Sequence, residues 1–265
     1  MQINFDSWNG RIADNQASDN QGFGISADID GTVDILRNTT NNNRSSGMRL
    51  DIAGTNSGRI AENISIGNGN AGIRVFLLPF SSPVLTTTTV TNNVTQNNGG
   101  NGIEFTPFTS GELRVSGDFT NNTSSGNGEH GLILGSSFVG LTRYTGSISG
   151  NTFSDNGQQE LEIRIEGSAT DGSDDSVFSV LNNTLTDSAS GSVLFIENDG
   201  ASNLTLTLDG NTAAPVLTNL NNSPFNFDLT KPGAGGFTVL PSDVQTRNTG
   251  SVGSSASGAA RVTIP

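Results

Sequence analysis

The chain has 265 residues, of which 25 are acidic and 12 are basic, so its net charge is -13 at pH 7. This charge would repel other polyanions, and we expect neither nucleic acid nor an anionic membrane as a partner. The chain has no cysteine and a single histidine, His130. Disulfides, a thiolate nucleophile, Cys-ligated metals and a multi-histidine metal site are therefore excluded.

Charged residues make up only 14% of the chain, against about 25% in an average domain, which excludes a helical protein with a Lys/Glu surface. No stretch is apolar for the length that a membrane-spanning helix needs, and the first residues after Met1 lack the basic and apolar regions of a signal peptide. We therefore expect no membrane insertion. We also expect that the chain is a segment of a longer protein, continuous with further modules, and that any export signal lies elsewhere in that protein.

An asparagine recurs along the chain at steps of 23 to 32 residues and defines an internal repeat. The anchors are Asn15, Asn38, Asn63, Asn93, Asn122, Asn151 and Asn183. Five residues after them stand Asn20, Asn43, Asn68, Asn98, Asn127, Asn156 and Ser188. Nine residues after them stand Gly24, Gly47, Gly72, Gly102, Gly131, Glu160 and Ser192. Fixed offsets with variable insertions between them are typical of a solenoid.

Apolar pairs with a period of two follow each glycine position, ten and twelve residues after the anchor. They are Ile25/Ala27, Met48/Leu50, Ile73/Val75, Ile103/Phe105, Leu132/Leu134, Leu161/Ile163 and Val193/Phe195. A period of two predicts strands, and one unit cannot bury its inward face alone. Stacking the units in register at a spacing of about 4.8 Å buries these faces together, so the sequence predicts a parallel β-solenoid.

The recurrent asparagines predict a ladder of hydrogen bonds along the solenoid axis. An asparagine side chain has both a donor and an acceptor, so identical turns can be bridged from one coil to the next. The glycine at offset nine predicts a positive φ angle or a close backbone neighbour. Asn121, one residue outside the frame, is expected to be an ordinary surface residue that alanine can replace.

The repeating unit, as in Ser149 to Asn156 or Gln96 to Phe105, resembles the right-handed parallel β-helix repeats of the pectin-lyase-like superfamily over about residues 3–228. The resemblance implies a single all-β, right-handed parallel β-helix with about eight coils and three short strands per coil. We assign it to residues 1–230 and expect residues 231–265 to form an irregular C-terminal cap or linker. The same fold occurs in lyases, hydrolases, tailspikes and adhesins, so the function has to be argued from a site.

The resemblance also suggests where catalytic residues would lie. Polygalacturonase-like hydrolases carry Asn-Thr-Asp, Asp-Asp, Gly-His-Gly and Arg-Ile-Lys in that order, and this chain has His130 followed by Gly131, and Arg164-Ile165-Glu166. The acidic pair that should precede the histidine is missing here, the one Asp-Asp, Asp174-Asp175, comes after it, and Glu166 replaces the lysine. The weak catalytic candidates are thus His130, Glu129 and Arg164, and the alternative is a histidine on a surface turn.

A calcium-dependent lyase would need clustered carboxylate ligands, because Ca²⁺ prefers oxygen donors. Asp171, Asp174 and Asp175 lie in one loop and are weak candidates for Ca²⁺, which is the one cofactor that we consider. The loop does not match a known calcium-binding motif. The alternative is an acidic turn surrounded by solvent.

Residues at offsets eleven and thirteen should point outward, because those at ten and twelve point inward. In the middle coils the outward residues are Arg49, Asp51, Arg74, Phe76 and Glu104. Such a patch could hold a sugar chain by hydrogen bonds and stacking, and adjacent arginines would form a local positive spot. The alternative is salt bridging across an exposed sheet. In the last regular unit the same offsets predict that Leu194 and Ile196 point outward.

For function we expect a non-catalytic extracellular or cell-surface module, structural or adhesive, from a larger secreted bacterial protein. Its expected partner is a polysaccharide or a cell-surface glycan. The alternative is a polysaccharide lyase or glycoside hydrolase of the pectin-lyase-like type. A cluster of carboxylates in an outer groove would favour the enzyme, because glycosidases hold two carboxylates about 5–10 Å apart.

Overall fold

The computed structural model describes residues 2–5, 10–78, 84–107, 113–135, 141, 143–167, 172–186, 192–213, 227–230, 236–240, 247–248 and 252–253. Its strands form a parallel solenoid with three walls. The first and second walls belong to one 17-stranded sheet, because two long strands run through both, and the third wall is a 7-stranded sheet. The pairings between neighbouring strands are parallel, as in Ile103↔Leu132 and Thr123↔Thr152.

The three walls contain the following strands. The first wall comprises Gln2–Phe5, the first halves of Ile25–Leu36 and Met48–Ala61, Ile73–Leu78, Ile103–Pro107, Leu132–Leu134, Leu161–Ile165, Leu194–Asn198, Phe227–Thr230 and Val252–Gly253. The second comprises Gly10–Ala13, the second halves of the two long strands, Val84–Thr91, Leu113–Thr120, Arg143–Ser149, Ser176–Leu181, Leu204–Asp209 and Phe237–Leu240. The third comprises Thr39–Asn41, Ile64–Ile66, Val94–Gln96, Thr123–Ser125, Thr152–Ser154, Thr184–Thr186 and Thr212–Ala213.

The predicted parallel β-solenoid is confirmed, and its coil count differs slightly from the predicted eight. The third wall holds seven strands within the described part of the chain. Within the segment predicted as a cap or linker, Phe237–Leu240 pairs with Leu204–Asp209, and Asn248 bonds to Asn211. Part of this segment therefore continues the stack.

The core is a column of apolar side chains supplied by the period-two pairs. Ile73 and Val75 are fully buried, as are the residues paired with them on the next coil, Ile103 and Phe105. Further along the column, the rings of Phe105, Phe119, Tyr144 and Phe178 contact one another in sequence, with centroids 4.9–6.3 Å apart. Burying apolar area of this kind is the main source of stability in a solenoid, because each coil covers its neighbour.

In the last regular unit the prediction of the inward face is wrong by one residue. The strand pairing aligns Leu161 with Leu194 and Ile163 with Ile196, and both partners on this strand are fully buried. Phe195 therefore points outward instead of inward. The reason is that the segment between Asn183 and this strand is one residue longer than in the other units. The strand pairs in the register that buries its apolar residues, and not in the register that the offset from the anchor predicts.

The predicted asparagine ladder is present and runs along the junction between the second and third walls. Each anchor asparagine donates a side-chain N–H to the side-chain oxygen of the anchor on the next coil, at 2.9–3.0 Å, from Asn15 to Asn248. The same oxygen accepts the backbone N–H of the preceding anchor, as Asn122 does for Asn93 at 3.0 Å. The second side-chain hydrogen of Asn122 bonds to the carbonyl of Val90. Because Asn122 is 1% exposed, the ladder satisfies turn groups that water cannot reach.

A second ladder connects the asparagines at offset five, from Asn20 to Asn156, at 2.8–2.9 Å. It ends at a carboxylate. Glu160 accepts the backbone N–H of Asn156 at 3.1 Å and also its side-chain N–H, which are the two hydrogens that an asparagine on the next coil would accept. The sequence has serine at the corresponding position 188, which lies outside the described residues. Glu160, which departs from the glycine frame, thus supplies the acceptor at the end of this ladder.

A carboxylate suits this end of the ladder for an electrostatic reason. All side-chain amides in the ladder donate in the same direction along the axis, so their dipoles add and leave partial positive charge at the donating end. The same arrangement favours an anion at the N-terminus of an α-helix. Glu160 is fully buried at this position.

The glycines at offset nine are required by close approach of the neighbouring coil. A Cβ atom added to Gly102 would lie 1.9 Å from the Ser124 hydroxyl and 2.6 Å from the Gly131 carbonyl. The left-handed residue of each turn is instead the one that precedes the anchor asparagine, as at Asn121, where φ is 54°. The expectation that alanine could replace Asn121 without cost is therefore wrong, because alanine is strained at this φ.

We predict that Asn122→Ala lowers the free energy of unfolding by about 1–3 kcal/mol, because it leaves the buried N–H groups of Asn93 without an acceptor. Asn121→Gly is the control, since glycine occupies the equivalent left-handed position at Gly150, and it should change stability by less than about 0.5 kcal/mol. Chemical denaturation of both variants measures the difference. Equal midpoints would contradict the ladder's role in stability.

We predict that Glu160→Gln also destabilises the fold, by about 1–2 kcal/mol, because it removes the negative charge that receives the two N–H groups of Asn156 at the donating end of the ladder. Glu129→Gln makes the same chemical change at an exposed position of the preceding turn and should be nearly neutral. The comparison uses thermal or urea unfolding. A Glu160→Gln variant as stable as Glu129→Gln would show that the carboxylate does not terminate the ladder.

Candidate functional site

A polar groove of about 490 Å³ lies on the outward side of the first wall. It crosses the coils that carry the strands Ile73–Leu78, Ile103–Pro107, Leu132–Leu134 and Leu161–Ile165. Its lining consists of Asn70, Arg74, Asn101, Glu104, Thr106, Glu129, His130, Ile133, Gly135, Gln158, Glu162 and Arg164. Parallel strand pairing brings these side chains together, since each coil contributes one or two outward residues and one or two residues of the preceding turn.

The predicted ligand-binding residues do lie side by side on this wall, and their charges are already paired. The pairing aligns Arg49 with Arg74 and Asp51 with Phe76. Arg49 forms a two-point ion pair with Asp51 at 2.8 and 2.9 Å. Arg74 forms a second ion pair, with Glu104 of the next coil, at 3.0 Å. The expected positive spot is therefore neutralised, as the salt-bridge alternative predicted.

Phe76 contacts arginines as well. The guanidinium carbons of Arg49 and Arg74 lie 5.2 and 4.2 Å from the centre of its ring. Arg49 also lies 5.4 Å from the ring centre of Phe23. These cation–π contacts occupy the aromatic surface that we expected to stack on a sugar, so Phe76 holds arginine side chains in place.

Glu104 is a buried carboxylate at the centre of the groove, and several hydrogen bonds hold it. It is 5% exposed and accepts bonds from Arg74 at 3.0 Å, from the hydroxyl of Thr106 at 2.7 Å and from the side chain of Asn101 at 3.1 Å. Hydrogen bonds and an opposite charge of this kind compensate a carboxylate for its loss of water. Glu104 is thus held in one orientation by its neighbours.

His130 is buried beside Glu104 and has an acceptor at each ring nitrogen. The side-chain oxygen of Asn101 accepts the backbone N–H of His130 at 3.0 Å, so the same oxygen also faces Nδ1, at 3.0 Å. Nδ1 therefore carries a hydrogen. Nε2 lies 2.8 Å from Glu162 and 3.0 Å from the side-chain oxygen of Gln159. A hydrogen bond thus joins His130 to the Glu162 carboxylate.

Glu162 and Arg164 continue this network onto the following coils. Arg164 donates to Glu162 at 2.6 Å and also to Glu197, and its guanidinium lies 5.0 Å from the ring centre of Phe195. Burial acts to raise the pKa of Glu162, but the hydrogen bond and charge of His130, together with Arg164, lower that pKa below 4.5. Burial, followed by repulsion from Asp199 and Glu162, raises the pKa of Glu197 above 4.5 although Arg164 opposes it. One guanidinium thus serves two carboxylates.

The structure places all three predicted catalytic candidates in the lining of the groove and joins two of them, His130 and Arg164, in one hydrogen-bond network. Glu162 bridges His130 and Arg164. The side chain of Glu129 is exposed at the edge of the groove. The sequence pattern indicated no role for Glu162, and it missed Glu197 because the register of the last unit is shifted by one residue. The sequence feature that could have identified Glu162 as a partner of His130 is its outward position on the next coil.

The calcium candidates have protein partners where the structure describes them. Asp174 is 2% exposed and accepts a hydrogen bond from Arg114 at 3.2 Å. Asp175 accepts the backbone and side-chain N–H groups of Asn203 at 2.8 and 3.2 Å. Asp171 lies outside the described residues. Within the described residues no three His, Cys, Asp or Glu side chains form a cluster suited to a metal, and a calcium site at this loop stays a prediction.

Comparison with known proteins gives one match. Residues 1–119 match the family model described as a right handed beta helix region. No curated protein and no solved structure matches the chain. The match and the parallel solenoid together show a right-handed parallel β-helix, which is consistent with the resemblance to the pectin-lyase-like superfamily. Among the described residues, no helix is long and apolar enough to span a membrane.

We predict a pH dependence that arises from Glu162. Its pKa is lowered in the folded protein, so the ionised carboxylate stabilises the fold above pH 4.5, and this contribution is lost as the pH falls through the lowered pKa. The stability difference between the protein and Glu162→Gln should therefore be large at neutral pH and shrink below pH 4.5. Urea denaturation over this range measures it, with Glu129→Gln as the control. A difference that does not vary with pH would contradict the assignment.

Proposed function

We propose that this protein is a non-catalytic extracellular module that binds a carbohydrate chain in the groove of the first wall. The groove is elongated across several coils, and amide, hydroxyl and charged side chains from successive coils line it. Polar side chains in a fixed array suit the hydroxyl groups of a sugar chain, and a small apolar floor at Ile133 suits the face of a sugar ring.

One observation supports the absence of catalysis: the buried ionisable groups of the groove form ion pairs and hydrogen bonds with one another. Glu104 is bonded to Arg74, and Glu162 is bonded to both His130 and Arg164. Both ring nitrogens of His130 are occupied by neighbouring side chains. A general acid or base must reach a proton on the substrate, and in this arrangement the acids and bases reach one another.

A glycan-cleaving enzyme is the second candidate, and one observation favours it. Glu104 and Glu162 are buried carboxylates in the same outward row, and the strand Leu132–Leu134 separates them. Two strand spacings correspond to about 10 Å, close to the upper end of the separation in inverting glycosidases. Glu104 is held by three hydrogen bonds, one of them from Arg74, which argues against its acting as the acid.

The location at a cell surface is also part of the proposal. The chain is rich in polar uncharged residues, contains 34 glycines and has a net charge of -13. These features suit a soluble, elongated stalk or adhesive segment in a larger secreted bacterial protein, whose other modules would anchor it.

We predict that the protein binds at least one member of a panel of neutral, acidic and amino oligosaccharides, and that Ile133→Phe weakens this binding by at least about tenfold by filling the groove. Val177→Phe is the control, because Val177 is 56% exposed on the outer face of the second wall, and it should leave binding unchanged. Calorimetric titration measures both. Absence of binding to every oligosaccharide would refute the binding function.

We predict that none of these oligosaccharides is cleaved. Incubation with pectic, alginate and glycosaminoglycan oligomers should release neither reducing ends nor unsaturated ends. Cleavage that Glu162→Gln abolishes would instead assign the groove to an enzyme, since this variant removes the carboxylate that joins His130 and Arg164.

A further inference from the structure

The first wall, which carries the groove, has more carboxylates than guanidinium groups in its two outward rows, and Arg74, Arg164, Glu104 and Glu162 of these rows line the groove itself. Among the described side chains of the two outward rows, three arginines are opposed by five carboxylates. The arginines are Arg49, Arg74 and Arg164, and the carboxylates are Asp28, Asp51, Glu104, Glu162 and Glu197. Even with His130 protonated, these rows carry net negative charge.

The arginines of the groove cannot easily recruit an anionic ligand. Arg74 is committed to Glu104, and Arg164 is shared between Glu162 and Glu197. A carboxylate on a sugar would have to displace one of these buried or half-buried partners and leave it unpaired, which costs more than a new exposed ion pair returns. The overall charge of -13 also repels acidic sugars during approach.

The groove does contain a carboxylate that is available to a ligand. Glu129 is exposed at the groove edge, on the turn that precedes the coil of Ile133. Asn70 is also exposed in the lining and offers an amide group for sugar hydroxyls. An ammonium group beside Glu129 could form charge-assisted hydrogen bonds with its carboxylate without disturbing the buried network.

We propose that the ligand of the groove is a cationic amino-sugar chain, such as an oligomer of glucosamine, and not an acidic polysaccharide. This inference rests on the proposed carbohydrate-binding function and specifies the chemical class of its ligand. The amine groups pair with Glu129 and the excess negative charge of the wall, and the hydroxyl groups bond to the amide side chains of the lining.

The experiment titrates the full chain with four tetramers of matched length: glucosamine, N-acetylglucosamine, galacturonate and lysine. The glucosamine tetramer, at a pH that keeps its amines protonated, should bind at least about tenfold more tightly than the N-acetylated tetramer, because only the free amines form charge-assisted hydrogen bonds. Added salt should weaken this binding. The galacturonate tetramer should not bind.

Two variants locate the binding. Glu129→Gln should weaken glucosamine tetramer binding by about threefold to tenfold, because it removes one exposed charge from the groove. Glu62→Gln removes an exposed charge from a turn between the second and third walls and should have no effect. Equal effects of the two variants, or lysine tetramer binding as tight as glucosamine tetramer binding, would show general attraction to a negative protein and overturn the inference.

The outcomes separate this inference from the proposed function. Binding of the N-acetylated or galacturonate tetramer with equal or greater affinity would overturn the amino-sugar assignment and leave carbohydrate binding intact. Binding of none of the sugars would refute both.

Discussion

The hydrogen bond between asparagine side chains of successive coils is the interaction on which the rest of this structure depends. Each anchor amide bonds to the next anchor, to the backbone N–H of the previous one and to a carbonyl of the previous coil, as Asn122 does. A turn that is satisfied in this way can be buried, and it can stack only on an identical turn. The ladder therefore sets the register of the coils, and the inward pairs such as Ile103/Phe105 then meet their counterparts in the core.

The same register creates the groove. Side chains that are about 30 residues apart in sequence become neighbours, so charges pair between coils, as Arg74 does with Glu104 and Arg164 with Glu197. Asn101 and His130 each precede the offset-nine glycine of their coil, so the stacking places them side by side. The side-chain amide of Asn101 then joins the histidine to Glu104. A chain with few charged residues has thus concentrated several of them in one buried network. We interpret the groove as a preformed binding surface because its side chains hold one another in position.

The sequence pattern was sufficient to predict the ladder, the parallel strands and the inward pairs of six units, since these repeat at fixed offsets. The pattern did not predict the structure at two kinds of position: where a different residue type takes over the hydrogen bonds of the repeat, and where an insertion between units changes length. Glu160 stands at offset nine, where most units have glycine, and the pattern gave no reason for it. Its carboxylate accepts the last hydrogen bonds of the ladder that ends at Asn156. The extra residue before Leu194 moved Glu197 beside Arg164. The partners of His130 lie on neighbouring coils, and which side chains contact it depends on their lengths and conformations. The offsets of the repeat do not contain this information.

Amide hydrogen exchange tests the central role of the ladder most directly. The backbone N–H groups of Asn93 and Asn122 donate to side chains instead of to a strand, at 2.8–3.0 Å. If the ladder sets the register, these two hydrogens exchange as slowly as that of Ile103, which bonds to the Gly131 carbonyl within the first wall. Exchange of the asparagine hydrogens at the rate of an exposed turn, while Ile103 stays protected, would show that the strands hold the coils together without the ladder.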